Sequence, residues 1–307
     1  MSNKRIGGTW LVSGLIVGLG AAIATGVVVA IARLVSTDAA IVMAPAATTF
    51  AVALLVARAS AQRRRQLARL RRRTRQRMDA LDRRQAHRAR RETSRLYGQL
   101  EALAALRDTL DGKLALPSTR DWAASADLLR ELVTVILARR PRVVVETGSG
   151  TSTVIIAACL QRLGGGHVWS LEHLPRFARE TQALLETRGL SDWATVVDAP
   201  LIDQRLGDGT WSWYDLAGFP AGEPIEVLFV DGPPGDTGPL ARYPALPMLL
   251  DRLAPGAAIL VDDGARPDER AMLARWRAEV PGLEIRPLPL EKGGSLLMLG
   301  DPPPATA

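Results

Sequence analysis

The sequence predicts an α/β fold over residues 113–301, with a Rossmann-like, doubly wound and mainly parallel sheet of seven strands. Three observations predict it. Short β-branched runs alternate with amphipathic helical stretches, which implies βαβ crossovers. The first run leads into a glycine turn, Glu146-Thr147-Gly148-Ser149-Gly150, of the kind that binds a nucleoside cofactor. An acidic residue also closes each of the five runs that we expect to be parallel.

Each element of this domain has a local signal. Continuous β-branched runs are typical of strands buried on both faces, and apolar residues spaced by three and four are typical of helices. The expected strands are Arg142–Val145, Val168–Leu171, Thr195–Val197, Glu226–Val230 and Ala257–Val261, then an antiparallel pair, Leu283–Pro287 and Ser295–Leu299. The expected helices are Ala123–Ala138, Thr153–Leu163, Leu174–Arg188, Leu246–Leu253 and Pro267–Glu279. The aromatic stretch Trp211–Asp215 is expected to be a loop that walls a pocket, or one that packs over the sheet edge.

Residues 1–57 are expected to form a two-helix transmembrane hairpin. The uncharged stretches Trp10–Ala32 and Ala39–Ala57 are long enough to cross a bilayer. A secretory signal peptide is the alternative for the first stretch, but its apolar core is too long for one. The positive-inside rule then places both termini and the α/β domain on the cytoplasmic side of the cell membrane.

Residues 58–112 are expected to form an Arg-rich helical linker. Between Arg58 and Arg95 the chain has 16 Arg against Asp79, Asp82 and Glu92, whereas the whole chain has a net charge of only +7. The α/β domain is therefore acidic, which argues against nucleic acid at its catalytic face. For the Arg-rich segment itself we expect anionic lipid as the partner, with nucleic acid as the alternative.

The stretch Leu96–Leu110 repeats leucine at spacings of three and four. This apolar face is expected either to form a short coiled coil, and hence a homodimer, or to pack onto the α/β domain. Residues 302–307 are expected to be a disordered tail. Cys159 is the single cysteine and lies in an apolar run, so a buried role is expected.

The acidic residues that end the predicted parallel strands form a candidate ligand site. They are Glu146, Glu172, Asp198, Asp231 and Asp262, which Asp263 follows. Ligands of such sheets bind outside the carboxyl ends of the strands, and the Glu172 carboxylate could accept hydrogen bonds from both ribose hydroxyls of a nucleoside. Because Thr153 stands where a dinucleotide fingerprint needs its third glycine, a cofactor without phosphates fits better than NAD.

Four runs resemble motifs of class I S-adenosylmethionine-dependent methyltransferases, nearest to their small-molecule O-methyltransferase-like branch. The runs are Glu146–Ser152, Val197–Ala199, Phe229–Gly235 and Leu253–Gly256. The resemblance covers roughly residues 120–300 and implies S-adenosylmethionine as the cofactor. It implies cofactor binding by Glu146 (amino group), Thr147, Gly148, Ser149, Gly150, Ser152, Glu172 (ribose), Asp198 (adenine) and Asp231 (methyl donor). Ser152 stands where many members have glycine.

Asp231 and Asp262 are the candidate catalytic residues. With Asp263 they also resemble the divalent-metal site of catechol-type O-methyltransferases, which have Asp, Asp and Asn there. The alternative is that Asp262 and Asp263 cap the following helix or pair with Arg266 and Arg270. His173 is a candidate base, with a solvent-facing turn position as the alternative.

The sequence therefore predicts a membrane-anchored methyltransferase that acts on a small or lipid-associated acceptor, with O-methylation as one option. Two alternatives stay open at this point. One is a non-catalytic membrane scaffold whose α/β domain binds a nucleoside, and the other is an NAD-dependent oxidoreductase.

Overall fold

The computed structural model describes residues 20–31, 33, 37–110, 124–207 and 209–300. The chain divides into two compact units, Met1–Arg88 and Ala89–Ala307. Residues 20–31 are helical (α1). The next helix, α2, runs unbroken from Thr37 to Thr109 and has Pro45 inside it. The predicted Arg-rich linker is therefore helical throughout its described part, while the predicted tail, residues 302–307, lies outside the described residues.

Short helices and strands alternate after α2, as the sequence predicts. The helices are α3 (Ala126–Arg139), α4 (Thr151–Leu163), α5 (Pro175–Thr187), α6 (Ala245–Leu249) and α7 (Pro267–Glu279). The strands are β1 (Val143–Thr147), β2 (His167–Glu172), β3 (Ala194–Asp198), β4 (Leu201–Leu206), β5 (Gly209–Tyr214), β6 (Ile225–Val230), β7 (Leu253–Asp262), β8 (Glu284–Leu288) and β9 (Gly294–Met298).

Seven of these strands form one sheet in the order β3-β2-β1-β6-β7-β9-β8. The first five in that order are parallel, and β9 is antiparallel to both of its neighbours. The predicted mainly parallel, Rossmann-like sheet and its closing hairpin are thus confirmed. The strand order reverses between β1 and β6, and a crevice opens at such a reversal, outside the carboxyl ends of the strands.

The sheet has a hydrophobic core on each face. Neighbouring side chains of a strand point to opposite faces, so in β6 Phe229 joins one core while Leu228 and Val230 join the other. The helices α3 and α4 cover the first face, and α6 and α7 cover the second. Burial on both faces explains why these strands read as continuous apolar runs.

The aromatic stretch predicted as a loop is instead strand β5. It pairs with β4 in a separate antiparallel hairpin between β3 and β6. The loop prediction was wrong because three of the six residues of β4 are polar and none is buried, so only half of the hairpin resembles a strand. The stretch was predicted either to wall a pocket or to pack over the sheet edge. Packing over the sheet is seen, because Trp213 and Tyr214 are fully buried in the second core.

Two boundaries near the site also differ from the predictions. Strand β1 continues to Thr147, so Glu146 lies inside the strand and not beyond its end. Strand β7 begins at Leu253, because Leu253 pairs with Ile225 across a register shift. The motif-like run Leu253–Gly256 is consequently part of that strand, and the helix predicted over Leu246–Leu253 is shortened to α6 plus one 3₁₀ turn.

The end of α2 packs onto the α/β domain. Ala102, Leu106 and Leu110 are buried in the first core, whereas Leu96 and Leu100 are more than half exposed. The packing alternative is therefore seen for the second half of the predicted apolar face. The coiled coil and the homodimer remain predictions.

Within the described residues, no helix is both long and apolar enough to cross a membrane. Residues 10–19 and 32 of the first predicted span, Trp10–Ala32, lie outside those residues, as do the side chains of residues 39–44 in the second. The two transmembrane helices are thus unsupported by the described part of the chain. Exposed apolar side chains do occur there, among them Ile23 and Phe50.

Candidate active site at the carboxyl edge of the sheet

The glycine turn between β1 and α4 has the geometry that its sequence predicts. Gly150 has φ 152° and ψ −134°, a region that is essentially open only to glycine, and Gly148 has φ 96°. The Gly148 amide donates to the carbonyl of Leu171 at 2.9 Å, which ties the turn to β2. The turn therefore follows the carboxyl edge of the sheet, where a ligand would lie.

Glu146 is completely buried beneath this turn. Its Oε2 accepts hydrogen bonds from the hydroxyls of Thr153 (2.6 Å) and Ser170 (2.9 Å). Its Oε1 is buried and has no hydrogen-bond partner among the described residues. Burial raises the pKa of the Glu146 carboxyl to about 7, although the hydroxyls of Ser152, Thr153 and Ser170 oppose the shift. One carboxylate oxygen is thus available to a bound donor.

Thr153 and Ser170 are site residues that the sequence reasoning missed. In the sequence, Thr153 was considered only because it replaces the third glycine of a dinucleotide fingerprint. Its hydroxyl also accepts a hydrogen bond from the Gly150 amide at 3.0 Å. The one usable signal was polarity in an apolar setting, since Ser170 interrupts a strand and is fully buried. A buried hydroxyl needs a partner, and here the partner is the carboxylate of Glu146.

Glu172 closes β2 and is held by the same turn. Its Oε2 accepts from the amide and hydroxyl of Ser149 at 3.0 and 2.8 Å, and its Oε1 accepts from the Leu174 amide at 2.9 Å. A carboxylate offers about four lone-pair sites, so this fixed group retains capacity for a ribose hydroxyl. Asp198, the predicted adenine neighbour, lies beside Glu172 across the β2–β3 pairing and is exposed.

Tyr214 brings a second buried, unpartnered polar atom to the edge. Its side chain is fully buried, and its hydroxyl has no hydrogen-bond partner among the described residues. A Cβ on Gly232 would lie 2.3 Å from this hydroxyl and 3.0 Å from the Thr147 carbonyl oxygen. The hydroxyl therefore sits at the ends of β1 and β6, where the strand order reverses. Burial raises the pKa of Tyr214, with Glu172 adding to the effect, so the phenol stays protonated.

Thr147 joins the two sides of this crevice. Its hydroxyl donates to the Gly232 carbonyl at 3.0 Å, and the Gly232 amide lies 3.2 Å from the same hydroxyl oxygen. Thr147 is therefore a brace between β1 and β6. Ser152, another predicted cofactor residue, is buried in the first turn of α4.

The predicted metal residues Asp231, Asp262 and Asp263 do meet, with one oxygen of each within 4.8 Å of the others. They meet around a buried guanidinium, that of Arg242, whose Nη2 lies 3.0 Å from Asp263 Oδ2 and 3.4 Å from Asp231 Oδ1. Asp263 also pairs with Arg266 at 3.0 Å, as one of the alternative predictions had it. Arg242 was not among the residues predicted to form these ion pairs.

Asp231 faces a cavity of about 610 Å³ that is also lined by Pro234, Asp262 and Lys292. Its side chain keeps 16 % of its surface exposed. Burial raises the pKa of Asp231, with Asp262 adding to the shift and Arg242 opposing it. A carboxylate with a raised pKa at the wall of a cavity is suited to accept a proton, and the cavity has a volume typical of small-molecule sites.

Two further predictions concern single residues. His173 is not solvent-facing, because its side chain is 14 % exposed and its Nδ1 lies 3.2 Å from Glu172 Oε1. This places it behind the predicted ribose carboxylate, and no base role follows. Cys159 is fully buried, which raises the pKa of its thiol to about 12 and confirms the expected buried role.

Comparison with known proteins gives one family match. A family model described as "Methyltransferase domain" matches residues 145–264, less than half of the chain. No curated protein matches the chain. The match spans the glycine turn, Glu172, Tyr214 and the Asp231–Arg242 region, so the resemblance to methyltransferases is confirmed for the domain that carries the site.

Several solved structures are similar over the α/β domain. SAH-bound PaMTH1, a methyltransferase from Podospora anserina, has 16% identity and a TM-score of 0.47, over 65% of this chain and 88% of its own. Cofactor-bound Rv0187 from MTB has 24% identity and a TM-score of 0.45, over 66% and 91%. The O-methyltransferase TomG from Streptomyces achromogenes, in complex with SAM, has 18% identity and a TM-score of 0.46, over 68% and 96%.

Proposed function

We propose that this chain is a class I S-adenosylmethionine-dependent methyltransferase that methylates an oxygen of a small or lipid-associated acceptor. One observation carries the proposal. Two buried polar atoms that have no hydrogen-bond partner in the described part of the chain, Glu146 Oε1 and Tyr214 Oη, lie at the glycine turn where the strand order reverses. Buried polar atoms are rarely left unpaired in a native protein, so this pair indicates a ligand with polar groups at that point.

The chemistry of the two atoms fits an amino acid head group. The carboxylate of Glu146 can accept from an ammonium, and the protonated Tyr214 hydroxyl can donate to a carboxylate. S-adenosylmethionine carries both groups on an adenosine, and Glu172 lies on the turn where a ribose would bind. The cofactor, when bound, supplies an electrophilic methyl group.

The same turn argues against NAD. A pyrophosphate binds free amides at a helix N-terminus, but the Gly150 amide already donates to the Thr153 hydroxyl at 3.0 Å. A buried carboxylate, Glu146, lies directly beneath, and its charge would repel a phosphate. The dinucleotide alternative therefore has no observation in its favour.

Asp231 is the residue that we assign to the acceptor. An acceptor hydroxyl must lose its proton before or during attack on the methyl group. Asp231 combines a raised pKa with access to the 610 Å³ cavity, so its carboxylate can take that proton. Asp262 lies behind it and accepts from the Asp263 amide at 2.6 Å, which holds the end of β7 in place.

The proposal also includes attachment to a membrane and binding of anionic lipid. These two parts concern where the acceptor lies. The arginines of α2 between Arg58 and Arg95 are all exposed, and an exposed basic helix is attracted to anionic lipid at about 1 kcal/mol per charge. Cosedimentation with vesicles of phosphatidylcholine, with and without phosphatidylserine, tests this point. Binding only to the vesicles that contain phosphatidylserine supports lipid binding, whereas a preference for a DNA or RNA duplex would overturn it.

Calorimetric titration of the protein with S-adenosylmethionine tests the proposed cofactor. We expect binding, with Tyr214→Phe weakening it about tenfold, since a lost hydrogen bond to a charged group is worth roughly 1.5 kcal/mol or more. The matched control is Tyr97→Phe, because Tyr97 lies on α2 and is 64% exposed. Binding of NAD, and not of S-adenosylmethionine, would overturn the assignment.

Turnover separates an enzyme from a scaffold. The protein is incubated with methyl-labelled S-adenosylmethionine and separate membrane and soluble extracts, and labelled product is followed together with S-adenosylhomocysteine. Label in an extracted lipid or small molecule, lost with Asp231→Asn, supports the proposal. Cofactor binding with no label transfer to either extract would favour the non-catalytic scaffold.

A further inference from the structure

The three carboxylates that resemble a metal site have a protein cation among them. Arg242 is 5 % exposed, although it is the longest type of charged side chain. A buried guanidinium is stable only when its charge and its N–H groups are satisfied. The groups that surround Arg242 therefore decide whether the three carboxylates can still bind a metal ion.

Three of the five groups that approach the Arg242 guanidinium belong to the residues that would bind the metal. Its nitrogens approach the Pro233 carbonyl oxygen (3.5 Å), the Asp262 carbonyl oxygen (3.3 Å), and the carboxylates of Asp231 (3.4 Å), Asp263 (3.0 Å) and Glu269 (3.9 Å). Its Nε and both terminal nitrogens are therefore used within the protein. Arg242 lines the cavity, and its guanidinium nitrogens lie against the carboxylates.

A divalent cation does not fit the same arrangement. To bridge Asp231 and Asp263 it would lie about 2.0–2.6 Å from their oxygens. Those oxygens already face a single nitrogen, Nη2 of Arg242, at 3.4 and 3.0 Å. A metal ion there would be repelled by the positive charge of Arg242, which cannot move away because its side chain is enclosed.

We propose that the Arg242 guanidinium takes the place of a divalent cation in this site, and that it positions Asp231 without a metal. Arg242 is a positioning residue, because it acts through the carboxylates. This inference goes beyond the proposed function, since it concerns how the acidic cluster is held and predicts a latent metal site. It holds whichever acceptor the protein uses.

Titration with Mn²⁺ tests the inference, with free Mn²⁺ followed by electron paramagnetic resonance on metal-stripped full-length protein. Wild type is expected to take up no Mn²⁺. Arg242→Met keeps a long side chain but removes the charge, so it is expected to bind one Mn²⁺ per chain, and the double variant Arg242→Met/Asp263→Asn should lose that site. The Tm of Arg242→Met should rise with Mn²⁺, because a ligand of the native state stabilises it.

The matched control is Arg266→Met. Arg266 also pairs with Asp263 at 3.0 Å but is 52% exposed, so its removal takes the same charge from the same carboxylate and leaves Arg242 in place. No Mn²⁺ should bind to it. Stoichiometric Mn²⁺ uptake by wild type, lost in Asp263→Asn, would overturn the proposal, and so would a folded Arg242→Met that binds none. If Arg242→Met does not fold, the wild-type titration alone decides.

Discussion

On the β1–β2 side of the sheet edge, Glu146 and Glu172 accept hydrogen bonds from hydroxyls and backbone amides. On the β6–β7 side, Asp231 and Asp263 share a buried guanidinium. Both sets of acids close parallel strands, and in the sequence they look alike. Their partners make them different kinds of site.

A carboxylate that accepts hydrogen bonds from neutral donors keeps its charge. It also keeps part of its capacity to accept further hydrogen bonds. Glu146 accordingly retains an unpartnered oxygen, which suits it to receive a ligand. An internal cation satisfies its carboxylates, so the second side is closed to a further cation and holds Asp231 in one position. In the proposed function, the first side of the edge binds the cofactor and the second binds the acceptor, with Tyr214 near the boundary between them.

The largest effect should follow from closing that boundary with Gly232→Ala. The new Cβ would lie 2.3 Å from the Tyr214 hydroxyl and 3.0 Å from the Thr147 carbonyl oxygen. Because both neighbours are buried, we expect a loss of about 3 kcal/mol in the free energy of unfolding, measured in urea. Gly235→Ala is the control, since nothing lies within 4 Å of its Cβ. The double variant Gly232→Ala/Tyr214→Phe should recover part of the lost free energy of unfolding. If it recovers none, Tyr214 does not lie in the crevice.

Glu172→Gln should weaken S-adenosylmethionine binding about thirtyfold, or about 2 kcal/mol, because it removes charged hydrogen bonds to the ligand and to the turn. Calorimetry measures it. Glu186→Gln on α5 is the control, since that side chain is exposed. An unchanged Kd in Glu172→Gln would place the ribose elsewhere.

The pH dependence of cofactor binding should report Glu146. Its pKa is raised to about 7 by burial, so it must lose a proton before it can accept from an ammonium. S-adenosylmethionine affinity should then rise about fivefold from pH 6 to pH 7. Glu146→Gln should bind weakly with little change between these pH values. A pH profile shared by wild type and variant would assign the effect to another group.

The ligand-free protein should show the opposite trend in stability. The folded pKa of Glu146 lies above its ordinary value of 4.5, so the folded state holds its proton more tightly. Its contribution is fully present below pH 4.5 and is lost as the pH rises through about 7. The difference between wild type and Glu146→Gln in urea unfolding isolates this contribution, on the order of 3 kcal/mol.

The smallest effect should come from Asp198→Asn. Asp198 is exposed and lies at the outer strand β3, and an exposed side chain usually contributes within about 0.5 kcal/mol. We expect a change in Kd of about twofold or less. A loss as large as that of Glu172→Gln would show that the cofactor covers Asp198 and shields it from water.

Much of the domain was predictable because its signals are local. A parallel strand buried on both faces is apolar along most of its length, so the apolar runs Val143–Val145 and Val227–Val230 stand out in the sequence. Glycine is strongly favoured at a φ such as the 96° of Gly148. The β4–β5 hairpin was not predictable in the same way, because one of its strands is half polar and has no buried residue.

By itself, the sequence determined that acids would close the parallel strands around a glycine turn, since strand ends and turns depend on neighbouring residues. Only the tertiary structure decided what each acid faces. Arg242 lies 21 residues before Asp263 in the chain, yet their side chains are 3.0 Å apart, and Thr153 supplies a hydroxyl to Glu146 from the next helix. These partners set charge, pKa and free hydrogen-bonding capacity. They are brought together by packing across the sheet, which no local pattern specifies.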